Sequence, residues 1–145
     1  IGYICGNIIN SQLSLKIGLE RMCLLGTACS FCTVSIFFLN NNLFQNGPIV
    51  LSLICMLFGC SNGFAVANSM TGAINSSKLN KGAASGLMGA FQVGSGGLAG
   101  FLIIYFGGAQ NFNTCLYALF IMSGISIISS YLILQIKKIV LYEND

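Results

Sequence analysis

Two stretches of this chain carry no charge at all, Met22 to Ser77 and Gly82 to Ile136. Each is far longer than the ~20 apolar residues that cross a bilayer. Each must therefore hold two spans joined by an uncharged loop. Soluble domains carry about 25% charged residues, whereas here the share is 6% against 55% hydrophobic. A surface so poor in charge belongs in lipid. Backbone groups in hydrocarbon must be satisfied internally, which leaves helices or closed barrels. Long unbroken apolar runs, without the alternation of barrel strands, predict an all-α transmembrane bundle.

The pattern predicts spans over residues 22–39, 49–73, 82–106 and 114–136, preceded by a partial one over 1–12. That first piece fades through Asn10, Ser11 and Gln12, and at 1.5 Å per residue it covers only about half of a ~30 Å core. It reads as the end of a helix that starts elsewhere. With Ile1 where an initiating Met would stand, residues 1–145 are expected to be one transmembrane piece of a longer protein.

Charge placement predicts orientation. Lys16 and Arg21 follow the first segment, Lys78 and Lys81 the third, and Lys137 and Lys138 the fifth. The loops between carry none. Basic residues confined to alternate connections place those connections, and the C-terminus, in the cytoplasm. The expectation is a multi-pass protein of the cell (inner) membrane whose first partner is the lipid bilayer. The same scatter forms no basic stripe, so nucleic acid is not an expected partner.

Catalytic chemistry finds little material. There is no His, and the acidic residues Glu20, Glu143 and Asp145 lie in a connection and the tail. No acid–base or metal constellation follows from these, so neither an enzyme nor a cofactor is expected. The seven cysteines sit in apolar surroundings and read as small hydrophobes. Cys29 and Cys32 form a CxxC, but it lies inside a span, without further ligands at zinc spacing or a thioredoxin-like setting.

Polar and small residues inside the spans are the informative ones. On the fourth segment Ser85, Gly89, Gln92, Ser95, Gly96 and Ala99 recur at helical spacing, with Leu87, Phe91, Leu98 and Phe101 largely on the other side. Gly82 to Gly86 and Gly96 to Gly100 are each GxxxG, a spacing that lets helix backbones approach. Gly82, Gly86, Gly89, Gly96 and Gly100 are thus candidate packing positions. Gln92 falls roughly 15 Å from the segment's cytoplasmic end, near the midplane where transporter sites tend to lie. An amide there either lines a cavity or hydrogen-bonds a neighbouring helix. Asn68 and Asn62 on the third segment, and Ser85 on the fourth, pose the same alternative.

The run from Lys81 through Gly82, Ala84, Ser85, Leu87, Gly89, Ala90 and Gln92 to Ala99 and Gly100 resembles the eleventh helix of the Bcr/CflA (bicyclomycin/chloramphenicol resistance) branch of drug:proton antiporters. That branch belongs to the major facilitator superfamily. Ala67-Asn68-Ser69 is similar to the P-N-A of its tenth helix, with the proline absent. The connection from Gly6 to Gly18 resembles the loop between its eighth and ninth helices. The resemblance implies the C-terminal half of a major facilitator fold, from a partial helix eight to helix twelve.

It implies multidrug efflux by alternating access, hence antibiotic resistance, with an amphipathic small molecule exchanged for protons. The missing N-terminal half would come from the same or a separate chain. Rival expectations are a non-transporting remnant, a split half that needs a partner chain, and a major facilitator transporter for a sugar or metabolite. Proton coupling needs a protonatable intramembrane group, and no span here supplies a carboxylate. That group is expected in the other half.

Overall fold

The computed structural model describes residues 1–43, 47–77, 80–108 and 110–142, except the side chains of 42–43 and 137–142. Five helices follow one another: α1 (Gly2–Ile17), α2 (Leu19–Leu43), α3 (Pro48–Ser76), α4 (Lys81–Tyr105) and α5 (Phe112–Tyr142). No strand occurs among the described residues. Within α2 to α5, four segments are long and apolar enough to cross a membrane, with mean hydropathy of 2.0, 2.1, 1.6 and 1.9 in chain order. This is the architecture of a multi-pass membrane protein. α1, at 16 residues, reaches only ~24 Å.

Local chemistry sets the helix ends. Pro48 occupies the first turn of α3 behind Gly47, where its missing N–H costs nothing. Asn80 caps α4, its Oδ1 accepting the Ala83 N–H at 3.2 Å. Gly107, at φ 83°, stops α4. Its N–H donates to the Ile104 carbonyl and that of Gly108 to the Ile103 carbonyl, at 3.0 and 2.8 Å. Those paired bonds around a left-handed residue form a Schellman cap. Gly18, at φ 93°, reverses the chain between α1 and α2 in a single residue. Only glycine enters that backbone region without strain.

α3 is the centre. It packs on α1 and α2, and α2 packs in turn on α5. α2 and α5 run antiparallel: Cys23 lies beside Ser130, Phe31 against Phe120, and Asn41 donates to Asn113 at 3.0 Å. Phe37 meets Phe112 edge-on, and Phe38 meets both Tyr117 and Phe120. α1 and α3 instead run parallel, because Gly2 abuts Met56, Gly6 abuts Cys60, and Asn10 bonds Asn68.

These directions bring the α1–α2 connection, the start of α4 and the end of α5 to one end of the bundle. Lys16, Arg21 and Lys81 therefore share an end. Lys78, Glu143 and Asp145 lie outside the described residues, as do the side chains of Lys137 and Lys138.

The interior is small. Among the described residues its buried hydrophobic members are Met22, Val34, Phe37, Ala65 and Leu116, while many large apolar side chains face outward. That distribution fits a lipid solvent, which removes the hydrophobic drive between helices and leaves packing and hydrogen bonds to hold them. The tightest packing uses glycine. A Cβ on Gly2 or Gly6 would collide with the Met56 or Cys60 carbonyl, and one on Gly63 would sit 3.0 Å from backbone atoms of Tyr3, Gly6 and Asn7. Gly2/Gly6 and Gly59/Gly63 are both GxxxG pairs, set face to face. Gly26 plays the same part between α2 and α3, where a Cβ would meet the Ala65 nitrogen at 2.6 Å.

Candidate functional site

α4 differs from its neighbours. It has no buried residue and touches α3 and α5 only loosely. Two open-sided clefts flank its inner face. The first, about 260 Å³, lies between α3 and α4, where Val66, Ser69 and Met70 face Met88, Phe91, Gln92 and Ser95. The second, about 210 Å³, lies between α4 and α5, with Ala99, Leu102, Ile103 and Phe106 opposite Ala118 and Met122. Met88, Gln92, Ser95, Ala99 and Phe106 follow at helical spacing, so both clefts open onto one side of α4.

The polar chemistry of the first cleft is specific. The Ser69 hydroxyl donates to the Val66 carbonyl at 3.0 Å, and that of Ser95 to the Gln92 carbonyl at 3.2 Å. With each proton spent on its own helix, what a serine offers outward is an oxygen lone pair. The Gln92 side chain is exposed and has no hydrogen-bond partner among the described residues. It offers two donors and an acceptor. Eleven residues from Lys81, it lies ~16 Å along α4. Elsewhere the rule for buried polar groups holds: no fully buried side-chain nitrogen or oxygen among the described residues lacks a partner. Gln92 is an unpaired amide at the depth where hydrocarbon would surround it.

The other residues marked by the sequence divide. Ser85 is half-buried on α4, two turns before Gln92. Asn62 is half-buried on α3, one turn from Val66 on the same face, and outside the cleft's lining. Asn68 is not part of this group. It is 3% exposed and turned towards α1, its Nδ2 donating to Asn10 Oδ1 and to the Phe64 carbonyl, each at 2.6 Å. Within this chain Asn68 joins two helices.

The α4 glycines also have a definite setting. Around Gly86, Gly89, Gly96 and Gly100 nothing lies within 4 Å of an added Cβ, and Gly82 meets only the Asn80 cap oxygen at 3.7 Å. The stripe they form borders the cleft face, since Gly89 and Gly96 stand three and four residues from Gln92, and it is uncovered by the described residues.

Asn10, Met70 and Met88 escaped the sequence reading. Asn10 sits where the apolar pattern fades and looks like the start of a loop, but α1 continues to Ile17. Its spacing of four from Gly6 and eight from Gly2 was the available signal. The methionines carry none, since Met on a membrane helix fills gaps anywhere.

No metal-ligating cluster of three or more His, Cys, Asp or Glu occurs among the described residues. Compared with known proteins, the chain matches no family, no curated protein and no solved structure.

Proposed function

We propose that this chain is the C-terminal part of a secondary active transporter of the major facilitator type, similar to the Bcr/CflA drug exporters, and that the inner face of α4 forms part of its substrate path. The observation that carries the reading is the unpaired Gln92 amide, held at mid-span and open to a cleft lined by serines and methionines. A polar group in hydrocarbon without a partner is costly. Retaining one beside a cavity has an explanation if the cavity takes a ligand. Polar residues near the midplane mark substrate paths in transporters.

The second reading, a half that needs a partner chain, is favoured by the uncovered glycine stripe on α4. The two fit together: the partner would be the other transporter half, docked on the stripe, and would supply the protonatable group absent from these spans. In this arrangement the basic end faces the cytoplasm of an inner membrane.

The test is export of amphipathic drugs by cells carrying the chain together with an N-terminal half. Gln92→Ala should change which compounds are exported while the protein stays at normal abundance. A uniform fall in export with falling abundance would assign the amide to helix packing. An unchanged profile at unchanged abundance would remove Gln92 from the path.

A further inference from the structure

We propose that the two clefts along α4 form one binding site for a single-chain amphiphile with an uncharged, hydroxyl-bearing head. The inference rests on the reading of α4 as a substrate wall and adds to it the class of molecule. Head and tail are assigned by chemistry. The α3/α4 cleft offers the lone pairs of Ser69 and Ser95 and the amide of Gln92, a set that matches O–H donors on a ligand. The α4/α5 groove is almost wholly apolar, with Leu102, Ile103, Phe106 and Met122 around the small Ala99 and Ala118. Ser95 and Ala99 are four residues apart, ~6 Å along the helix, so a head in one cleft can continue into a tail in the other.

Charge decides what the head is. The charged side chains among the described residues, Lys16, Glu20, Arg21 and Lys81, lie at or near helix ends. An ionic headgroup at Gln92 would have no counter-charge and would be desolvated. Volume decides the tail. At about 210 Å³, with Ala99 and Ala118 among its lining residues, the groove suits a slender alkyl chain. A helix, ~10 Å across with its side chains, does not fit in the groove beneath α4.

The direction is informative too. The head lies nearer the basic end of the bundle and the tail points away from it. Gln92 lies ~16 Å and Ala99 ~27 Å from the basic end of α4, so the head sits at mid-span and the tail reaches into the far half of the bilayer.

The tail gains little from leaving lipid, which is as apolar as the groove. Selection must come from the head, and the groove only has to admit the chain. This gives two separable effects. Removing the head contacts weakens binding, and filling the groove abolishes it.

The experiment uses the 145-residue chain in phosphatidylcholine nanodiscs, with a monodecanoylglycerol carrying a photoreactive diazirine in mid-chain. Labelling should be saturable, should be competed by unlabelled monodecanoylglycerol, and should map to residues 99–106 and 114–122. Ala118→Phe, and independently Ala99→Leu from the facing wall, should each reduce it at least tenfold in protein of unchanged helicity and elution. Gln92→Leu should weaken it roughly fivefold, as for one hydrogen bond.

A phosphatidylcholine with the same diazirine chain should label all lipid-facing helices and show no site. Equal labelling by both probes would reveal annular lipid only and overturn the proposal. So would labelling that both groove-filling variants leave intact. Drug export that fails while this labelling persists would sink the transport reading alone, and export without labelling would sink the amphiphile site alone.

Discussion

Gly6→Ala adds one methyl group, and the structure says what it meets. The new Cβ would point into the Cys60 carbonyl on the parallel helix α3, with the Cys60 Cα and carbonyl carbon both 3.0 Å away. These are backbone atoms in a helix and cannot swing aside. α1 must back away by about 1 Å to restore ordinary C···O contact at ~3.3 Å or more. Overpacking of this kind costs about 1–3 kcal/mol. The shift also pulls on the Asn10–Asn68 bond, one turn further along, which is 2.6 Å long and buried. A side-chain bond between membrane helices contributes about 0.6 kcal/mol on average and up to ~1.7. The expected loss is therefore about 2–4 kcal/mol.

Gly86→Ala is the matched control, since nothing lies within 4 Å of its Cβ. There the change should be neutral to stabilising, by up to about 1 kcal/mol from the helix preference of Ala over Gly. Equilibrium unfolding of the purified chain in mixed micelles, followed by circular dichroism, measures both. Equal stability of the two variants would refute a glycine seam between α1 and α3. A loss confined to Gly86→Ala would reverse the assignment of the two stripes.

Three further outcomes are expected. In a double-mutant cycle, Asn10→Ala and Asn68→Ala should couple by about 0.5–1.7 kcal/mol, and purely additive unfolding energies would show that the amides do not act as a pair. Gly89→Leu should be neutral in this chain alone but should weaken co-purification with an N-terminal transporter half, so stable pairing by the variant would mean that the stripe faces lipid. Reporter domains fused at Asn111 and after Asp145 should report opposite sides of the membrane, and reporters on one side would overturn the charge-based orientation.

What could be read from the sequence was whatever depends on composition along the chain. Charge-free runs between Arg21 and Lys78, and between Lys81 and Lys137, determine long apolar helices however these pack. Pro48 and Gly107 announce helix ends through their own backbone preferences. Pairings between helices were not legible in the same way. GxxxG occurs on α1, α3 and α4, and spacing alone cannot say which copy meets another backbone. The structure closes the Gly2/Gly6 pair on the Gly59/Gly63 pair and leaves the α4 copies uncovered. The amides show the same limit. Asn68 and Gln92 are each one polar residue in an apolar run. What separates them is Asn10, 58 positions from Asn68 in sequence and within hydrogen-bond distance in space.

α4 is held differently from the other four helices, and this bears on function. α1, α2, α3 and α5 form a connected body through glycine contacts, a buried amide pair and an aromatic cluster. α4 joins it through loose contacts alone, with its capped N-terminus at Asn80 and the left-handed Gly107 at its far end. Its place in a membrane is secured by its own transfer into lipid, since packing adds little. Displacing it would break few contacts, and elements that move in function come from that weakly held end of a structure. The same helix bears the unpaired amide beside the bare glycine stripe, Gln92 standing three residues from Gly89 and four from Gly96. A partner closing on the stripe would therefore shift the wall on which a ligand rests, so docking and binding become coupled through one rigid helix. By linkage, a ligand that prefers the docked position of α4 must strengthen docking by the same factor that docking strengthens its binding.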